Sequence, residues 1–165
     1  MALVPYSHIT DAHKLTADAE IELFELTPAV GSGTFRFKND NDETWLGNLY
    51  TGMPLQFTGE TFNAEGRSSQ PSLVIGQTNI DLSVFKPLIA TGAIDGARID
   101  KHTVLLSNIT NNLNIKVTRT YRVKRVEGYS SSVISLVLAT FSPAGPSTLP
   151  FREFIPPAFP FVRLT

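Results

Sequence analysis

Between Trp45 and Asn79 short apolar runs alternate with glycine, proline and asparagine, and this spacing limits the possible folds more than any other feature of the chain. The stretch reads Trp45-Leu46-Gly47-Asn48-Leu49-Tyr50, Pro54, Gly59-Glu60-Thr61-Phe62, Gly66-Arg67, Pro71-Ser72-Leu73-Val74-Ile75 and Asn79. The runs are too short for helices, and the chain must reverse between nearly every pair of them. Strands joined by tight turns are therefore predicted. No catalytic constellation falls within the stretch.

The same grammar extends to both sides. Ile21-Glu22-Leu23-Phe24-Glu25-Leu26 alternates apolar and acidic residues as a half-buried strand does, with Ile21 and Leu23 inward and Phe24 breaking the alternation. Thr27-Pro28 ends it, and Gly31-Ser32-Gly33 turns the chain into a hairpin partner at Thr34-Phe35-Arg36-Phe37-Lys38. Asn39-Asp40-Asn41-Asp42-Glu43 is predicted to be an acidic hairpin tip, followed by strands over Trp45–Tyr50, Leu55–Thr58 and Leu73–Gly76. Ile80–Thr91 carries a helical apolar stripe kept short by Pro87, with Gly92 as its stop. Asp11–Ala19 allows a second short helix or a loose arm.

Further strands are expected at His102–Leu106, Ile115–Val126 and Val133–Ala139, with the asparagine-rich Ser107–Asn114 as a surface hairpin tip. From Ser142 onward Pro143, Pro146, Pro150, Pro156, Pro157 and Pro160 exclude regular structure, while Phe151, Phe154, Phe159 and Phe161 are too apolar for a solvated linker. Such a segment lies along a surface, its own or a neighbour's. The chain thus reads as mainly β: a barrel or sandwich-like domain over 20–141 with one short helix. An arm or short helix at 1–19 precedes it, and an extended proline/aromatic arm at 142–165 follows.

With 165 residues, a formal net charge of −1 and 42% apolar residues, one domain with a real core is expected and no global attraction to nucleic acid. Cysteine is absent, which excludes disulfides, thiolate metal sites and cysteine nucleophiles. Met1–Pro5 lacks a basic region followed by a long apolar run, so no signal peptide is expected, and no apolar run reaches membrane-spanning length. His8, His13 and His102 are scattered, and the first two miss the i, i+4 spacing of a helical metal pair. The acidic loop 39–43 lacks the glycine and flanking helices of a calcium loop. Gly31-x-Gly33 has no helix behind it to cradle phosphate, and no serine sits in a Gly-x-Ser-x-Gly elbow. No catalytic, cofactor-binding or metal-ligating residue is assigned.

Lys116, Arg119, Arg122, Lys124 and Arg125 place a basic band on the clearest strand. It reads either as a solvated, edge-protecting face or as an electrostatic contact for an acidic neighbour subunit or passing nucleic acid.

Taken in order, Ile21–Leu26 with its glycine-rich turn and Phe35-Arg36-Phe37 resembles the opening of the phage minor tail protein L family. Gly47, Tyr50, Pro54, Gly59, Phe62, Gly66, Pro71-x-Leu73 and Asn79 resemble its most characteristic region, and Gly96-Ala97-Arg98-Ile99, Tyr121-x-Val123 and Val133-x-x-Leu136 follow in sequence. The likeness covers roughly residues 20–140. It implies a structural virion component of a phage tail tip or baseplate, made in the host cytoplasm and assembled as a homo-oligomeric ring. That ring would sit between the tail tube and the distal tail, hub or host-recognition proteins. DNA would pass through the bore without specific binding, and the chain would not insert in a membrane. Family members carry a C-terminal cysteine-bearing iron–sulfur domain, which this cysteine-free chain does not match, so no cofactor is carried over.

On this reading the protein is not an enzyme, and its partner contacts are Arg119, Arg122 and Arg125 on the basic strand with Phe151, Phe154, Phe159 and Phe161 on the aromatic arm, docked on a neighbour. The rival classes are a carbohydrate- or ligand-binding β-module, with Trp45, Tyr50 and Tyr129 as platforms, and a small β-barrel enzyme. The enzyme would need titratable groups far apart in sequence to meet in one cleft.

Overall fold

The computed structural model describes residues 4–14, 18–59, 70–76, 85–130 and 132–140. The protein is mainly β. Nine strands form one mixed sheet in the order β3-β4-β2-β1-β7-β8-β9-β6-β5. They are β1 (Glu20–Thr27), β2 (Phe35–Lys38), β3 (Glu43–Trp45), β4 (Asn48–Gly52), β5 (Leu55–Thr58), β6 (Ser72–Gly76), β7 (Arg98–Leu105), β8 (Val117–Tyr129) and β9 (Val133–Thr140). Among the described residues three short helices accompany them: α1 (Tyr6–Ala12), α2 (Lys86–Ala90) and α3 (Leu106–Thr110). Every ladder is antiparallel except β2 with β4. Among the described residues no helix is long and apolar enough to cross a membrane.

The sheet curls strongly. In ladder order β5 stands five strands from β1, which in a flat sheet is roughly 24 Å at the usual strand spacing. Yet the Phe57 ring on β5 lies 5.9 Å from Phe24 on β1 and 5.4 Å from Tyr121 on β8. The enclosed face holds the main core, with Phe24, Leu26, Phe37, Leu73, Ile75, Ile99, Tyr121, Val123, Ile134, Leu136 and Leu138 all buried. Phe85, Leu88 and Ile89, at and around α2, pack against this core, the Phe85 ring 5.6 Å from that of Phe35.

The expected barrel is not closed. β4 runs directly through Met53-Pro54 into β5, but β5 pairs only with β6. Where a ladder from β5 to β2 would begin, Leu55 N–H donates to the Asn39 side chain at 3.3 Å, and Pro54 has no N–H to offer. The result is an open, curled sheet with a seam.

The outer face carries a second, smaller core of Leu23, Trp45, Tyr50, Val104 and Ile109. Because β1 buries both faces, its apolar doublet at Leu23 and Phe24 serves one core on each side. Ile21 and Leu23, expected inward, face this smaller core, and Phe24 faces the main one.

Four further expectations change. Trp45–Tyr50 is not one strand but a hairpin, with Leu46 and Gly47 both at positive φ in the two-residue turn that joins β3 to β4. Asn39–Glu43 is not a hairpin tip but the connection from β2 to β3. It holds Gly52 so closely that a Cβ there would overlap the backbone of Asp40 and Asn41. Ser107–Asn114 reverses the chain between the antiparallel β7 and β8 as expected, but it does so with α3 inside it, whose Thr110 and Asn111 side chains donate back to the Leu106 and Ser107 carbonyls. Among the described residues the one helix expected in the domain becomes two, α2 and α3, and the short helix allowed in the N-terminal arm is present as α1. The N-terminal one begins at Tyr6 rather than Asp11, and in the 80–91 stretch the described helix covers Lys86–Ala90.

Candidate functional site

The basic strand was the chief sequence candidate, and its geometry departs from simple alternation. Through Val123 the register is regular, with Ile99 opposite Tyr121 on the core face and Asp100 opposite Thr120 on the outer face. Arg119 therefore lies on the enclosed side of the sheet, opposite Lys101, and Arg122 lies outside, opposite Arg98. The ladder to β9 then skips Lys124, so that Arg125 pairs with Val137 and Val126 pairs with Leu136 of the core. This bulge turns Arg125 onto the same outer face as Arg122. The expected single band of Arg119, Arg122 and Arg125 is thus divided: two arginines share one surface and the third faces the other way. Lys116 is separate again, with its ammonium 5.2 Å above the Trp45 ring.

β8 also outruns its neighbour. The bonds Gly96 N–H to Val123 O and Val123 N–H to Ala97 O, both 2.8 Å, are its last contacts on the β7 side. From Lys124 to Tyr129 it pairs only with β9 among the described residues. This stretch is exposed apart from Val126, and its tip presents Tyr129 and Val133 to solvent. A second bulge at Glu127 twists the edge further.

Sequence spacing concealed a polar network on the outer face of β1, β2 and β7. Cross-strand register aligns Arg36, Glu25, Asp100 and Thr120 in one row, with Leu23, His102 and Thr118 in the next. Glu25 Oε1 accepts from the Tyr50 hydroxyl at 2.6 Å and from Arg36 Nε at 3.1 Å. Asp100 Oδ1 accepts from the Thr120 hydroxyl at 2.6 Å and from Arg98 Nε at 3.0 Å. His102 Nδ1 meets the Thr118 hydroxyl at 2.9 Å, while its buried Nε2 stands 3.8 Å from Glu25 Oε2 without a hydrogen bond.

Burial raises the Glu25 pKa, but the Tyr50 and Arg36 hydrogen bonds outweigh it, and the carboxyl ends below its ordinary value. Burial and then the Glu25 carboxylate push the Tyr50 phenol far above its own. For His102, burial and the Lys116 charge lower the pKa against the opposing pull of Glu25 and Asp100. Two carboxylates and a histidine do meet here, as a catalytic reading requires. Glu25 Oε1 is, however, held by Tyr50 and Arg36 and Asp100 by Thr120 and Arg98, and the cluster lies under Tyr50 rather than in the cleft described below. What it does is fasten the β3–β4 hairpin to the sheet.

A cleft of about 300 Å³ opens at the seam, on the enclosed side, between β5 and the paired ends of β1 and β2. Glu20, Glu22, Phe24, Asp40, Leu55 and Phe57 are among its walls, and Lys101 reaches both Glu22 at 2.7 Å and the Phe57 ring at 4.4 Å. The acidic connection beside it uses its oxygens internally: Asp42 accepts from Gly52 N–H at 2.7 Å and Asn39 from Leu55 N–H. Among the described residues no group of three His, Asp or Glu side chains converges as metal ligands.

Trp45 and Tyr50, candidate glycan platforms, are each 1% exposed and belong to the smaller core, leaving Tyr129 alone at the surface. His8 and His102 are buried and His13 is exposed. Phe151, Phe154, Phe159 and Phe161 lie outside the described residues, as do Phe62, Gly66 and Asn79 of the Trp45–Asn79 stretch.

The class that fold and surface define is a mainly β protein built on one open, curled sheet with a protruding, basic-faced hairpin. No protein-family model matches the chain, and no curated protein matches it.

Proposed function

We propose that this chain is a structural component of a phage tail tip or baseplate, assembled as a homo-oligomeric ring between the tail tube and the hub or host-recognition proteins, and that it is not an enzyme. The observation that carries the reading is the β8–β9 hairpin. Its β8 edge is unpaired on one side from Lys124 to Tyr129 among the described residues, its outer face presents Arg122 and Arg125 together, and its tip exposes Tyr129 and Val133. An exposed aromatic and an aliphatic residue beside arginines is the composition of a protein–protein contact, and a protruding strand edge invites a neighbour. The family resemblance over residues 20–140 supplies the setting.

The outer-face network favours scaffolding over catalysis, because Glu25 is bonded to Tyr50 of the β3–β4 hairpin and to Arg36, and Asp100 to Thr120 and Arg98 of the sheet. The test is the size of the purified protein by sedimentation, together with imaging of tails that carry R122E/R125E. Loss of oligomers and of tail incorporation is expected. Normal rings and intact tails with both charges reversed would overturn the reading.

A further inference from the structure

The geometry points to an intramolecular dock: the seam cleft between β1, β2 and β5 receives the chain's own proline/aromatic segment, with Phe151 and Phe154 as its anchors. The inference replaces the expected docking of Phe151 and Phe154 on a neighbour with docking on the chain itself, and it uses a different face of the sheet from Arg122 and Arg125.

The seam is an unfinished part of the fold. β5 pairs with β6 on one side, and the alternation of ladder bonds turns the main chain of Leu55 and Phe57 toward the cleft. The Leu55 N–H is met there by Asn39, so an extended segment would find the Leu55 carbonyl and the Phe57 main chain beside apolar walls. The partly buried Phe57 supplies aromatic surface, with Phe24 behind it in the core, which suits an extended or polyproline segment more than a helix.

The occupant follows from where β9 leads. Thr140, its last residue, is in register with Tyr121, and Val137 is in register with Ser72, which in turn opposes Thr58 at the end of β5. β9 therefore ends at the same end of the sheet on which the cleft opens, two strand spacings or about 10 Å from β5. The connection from Thr140 to Phe151, extended at ~3.3 Å per residue, spans about 36 Å and reaches it with slack. In a proline-stiffened helix of about three residues per turn, Phe151 and Phe154 share one face. Charge agrees as well. Glu20, Glu22 and Asp40 line the cleft, with Lys101 paired to Glu22, whereas the segment carries Arg152 and Arg163 against Glu153.

The natural absence of cysteine makes the test direct, because two introduced thiols are the only ones in the full chain. E20C/R152C is treated at micromolar concentration with a short bis-maleimide, beside V30C/R152C as a control, since Val30 is 73% exposed on the β1–β2 loop at the opposite end of the sheet. A tethered but undocked segment samples both sites at comparable effective concentration, so docking is read as a preference of roughly tenfold for the Glu20 pair. The cross-linked product is expected to run as a monomer, and F151A/F154A is expected to erase the preference. Equal yields at the two sites, an unchanged preference in F151A/F154A, or a cross-linked dimer would each overturn the proposal. The dimer would show a second copy's segment in the cleft. None of these outcomes alters the oligomer and tail-incorporation readout of R122E/R125E.

Discussion

The Tyr50 hydroxyl donates to Glu25 Oε1 at 2.6 Å, linking the β3–β4 hairpin to the middle of the sheet through two residues that are both largely buried. The bond joins a neutral donor to a charged acceptor, which makes it stronger than an ordinary side-chain contact.

Removing the donor should therefore be felt. Tyr50→Phe keeps the ring in the smaller core and leaves Glu25 with Arg36 alone, which should cost about 1.5–3 kcal/mol in urea denaturation. An unchanged midpoint would mean that water replaces the phenol without loss.

Acid sensitivity follows from two depressed pKa values. The His102 pKa is lowered from 6.5, so the unfolded chain binds the proton more readily. The stability that the neutral imidazole contributes is full above that value and declines as pH falls through the folded pKa. Glu25, lowered from 4.5, acts in the same direction at lower pH. Thermal unfolding of the wild type should weaken in two stages on acidification. H102N should flatten the first stage, which sets in as pH falls below 6.5, and Tyr50→Phe should shrink the second. Identical pH profiles for wild type and H102N would refute the assignment.

Two glycines should respond oppositely to alanine. At Gly52 a Cβ meets the backbone of Asp40 and Asn41, which cannot rotate away, so Gly52→Ala should cost about 1–3 kcal/mol or more. At Gly128 nothing lies within 4 Å of the added atom, and Gly128→Ala should stay within about 0.5 kcal/mol of wild type. Thermal midpoints of the two variants compare them directly.

Asn112 sits at φ 52° and its side chain accepts the Leu46 N–H at 2.8 Å, holding a hairpin turn in which Leu46 also has positive φ. Asn112→Ala loses a residue tolerant of that conformation together with the bond, a loss of about 1–2 kcal/mol. Hydrogen exchange should quicken first at the β3–β4 amides. Uniform quickening across the sheet would place the defect elsewhere.

Much of the fold was legible in the order of the chain. Turn glycines and prolines, the alternation at Ile21–Leu26 and the long basic strand give a mainly β protein, because side-chain period and turn chemistry are local properties. Local pattern did not separate the hairpin turn at Leu46-Gly47 from a continuous strand. Leucine at positive φ is uncommon, and Asn112, far away in sequence, supports it. Nor did it show that Ser107–Asn114 forms a helical turn, whose stabilising bonds are made by side chains otherwise typical of loops.

The candidate surface shows the same division. The sequence by itself determined that β8 is basic, that the chain has no cysteine chemistry, and that strands rather than helices build the core. Only the tertiary structure decided which arginines stand together. One residue skipped by the ladder at Lys124 shifts Arg125 and Val126 to the opposite face until the second bulge at Glu127, and a period of two cannot record where such slips occur. The row of Arg36, Glu25, Asp100 and Thr120, and the cleft beside β5, likewise exist only once register and curvature are set. Both depend on contacts between segments that sequence distance keeps apart.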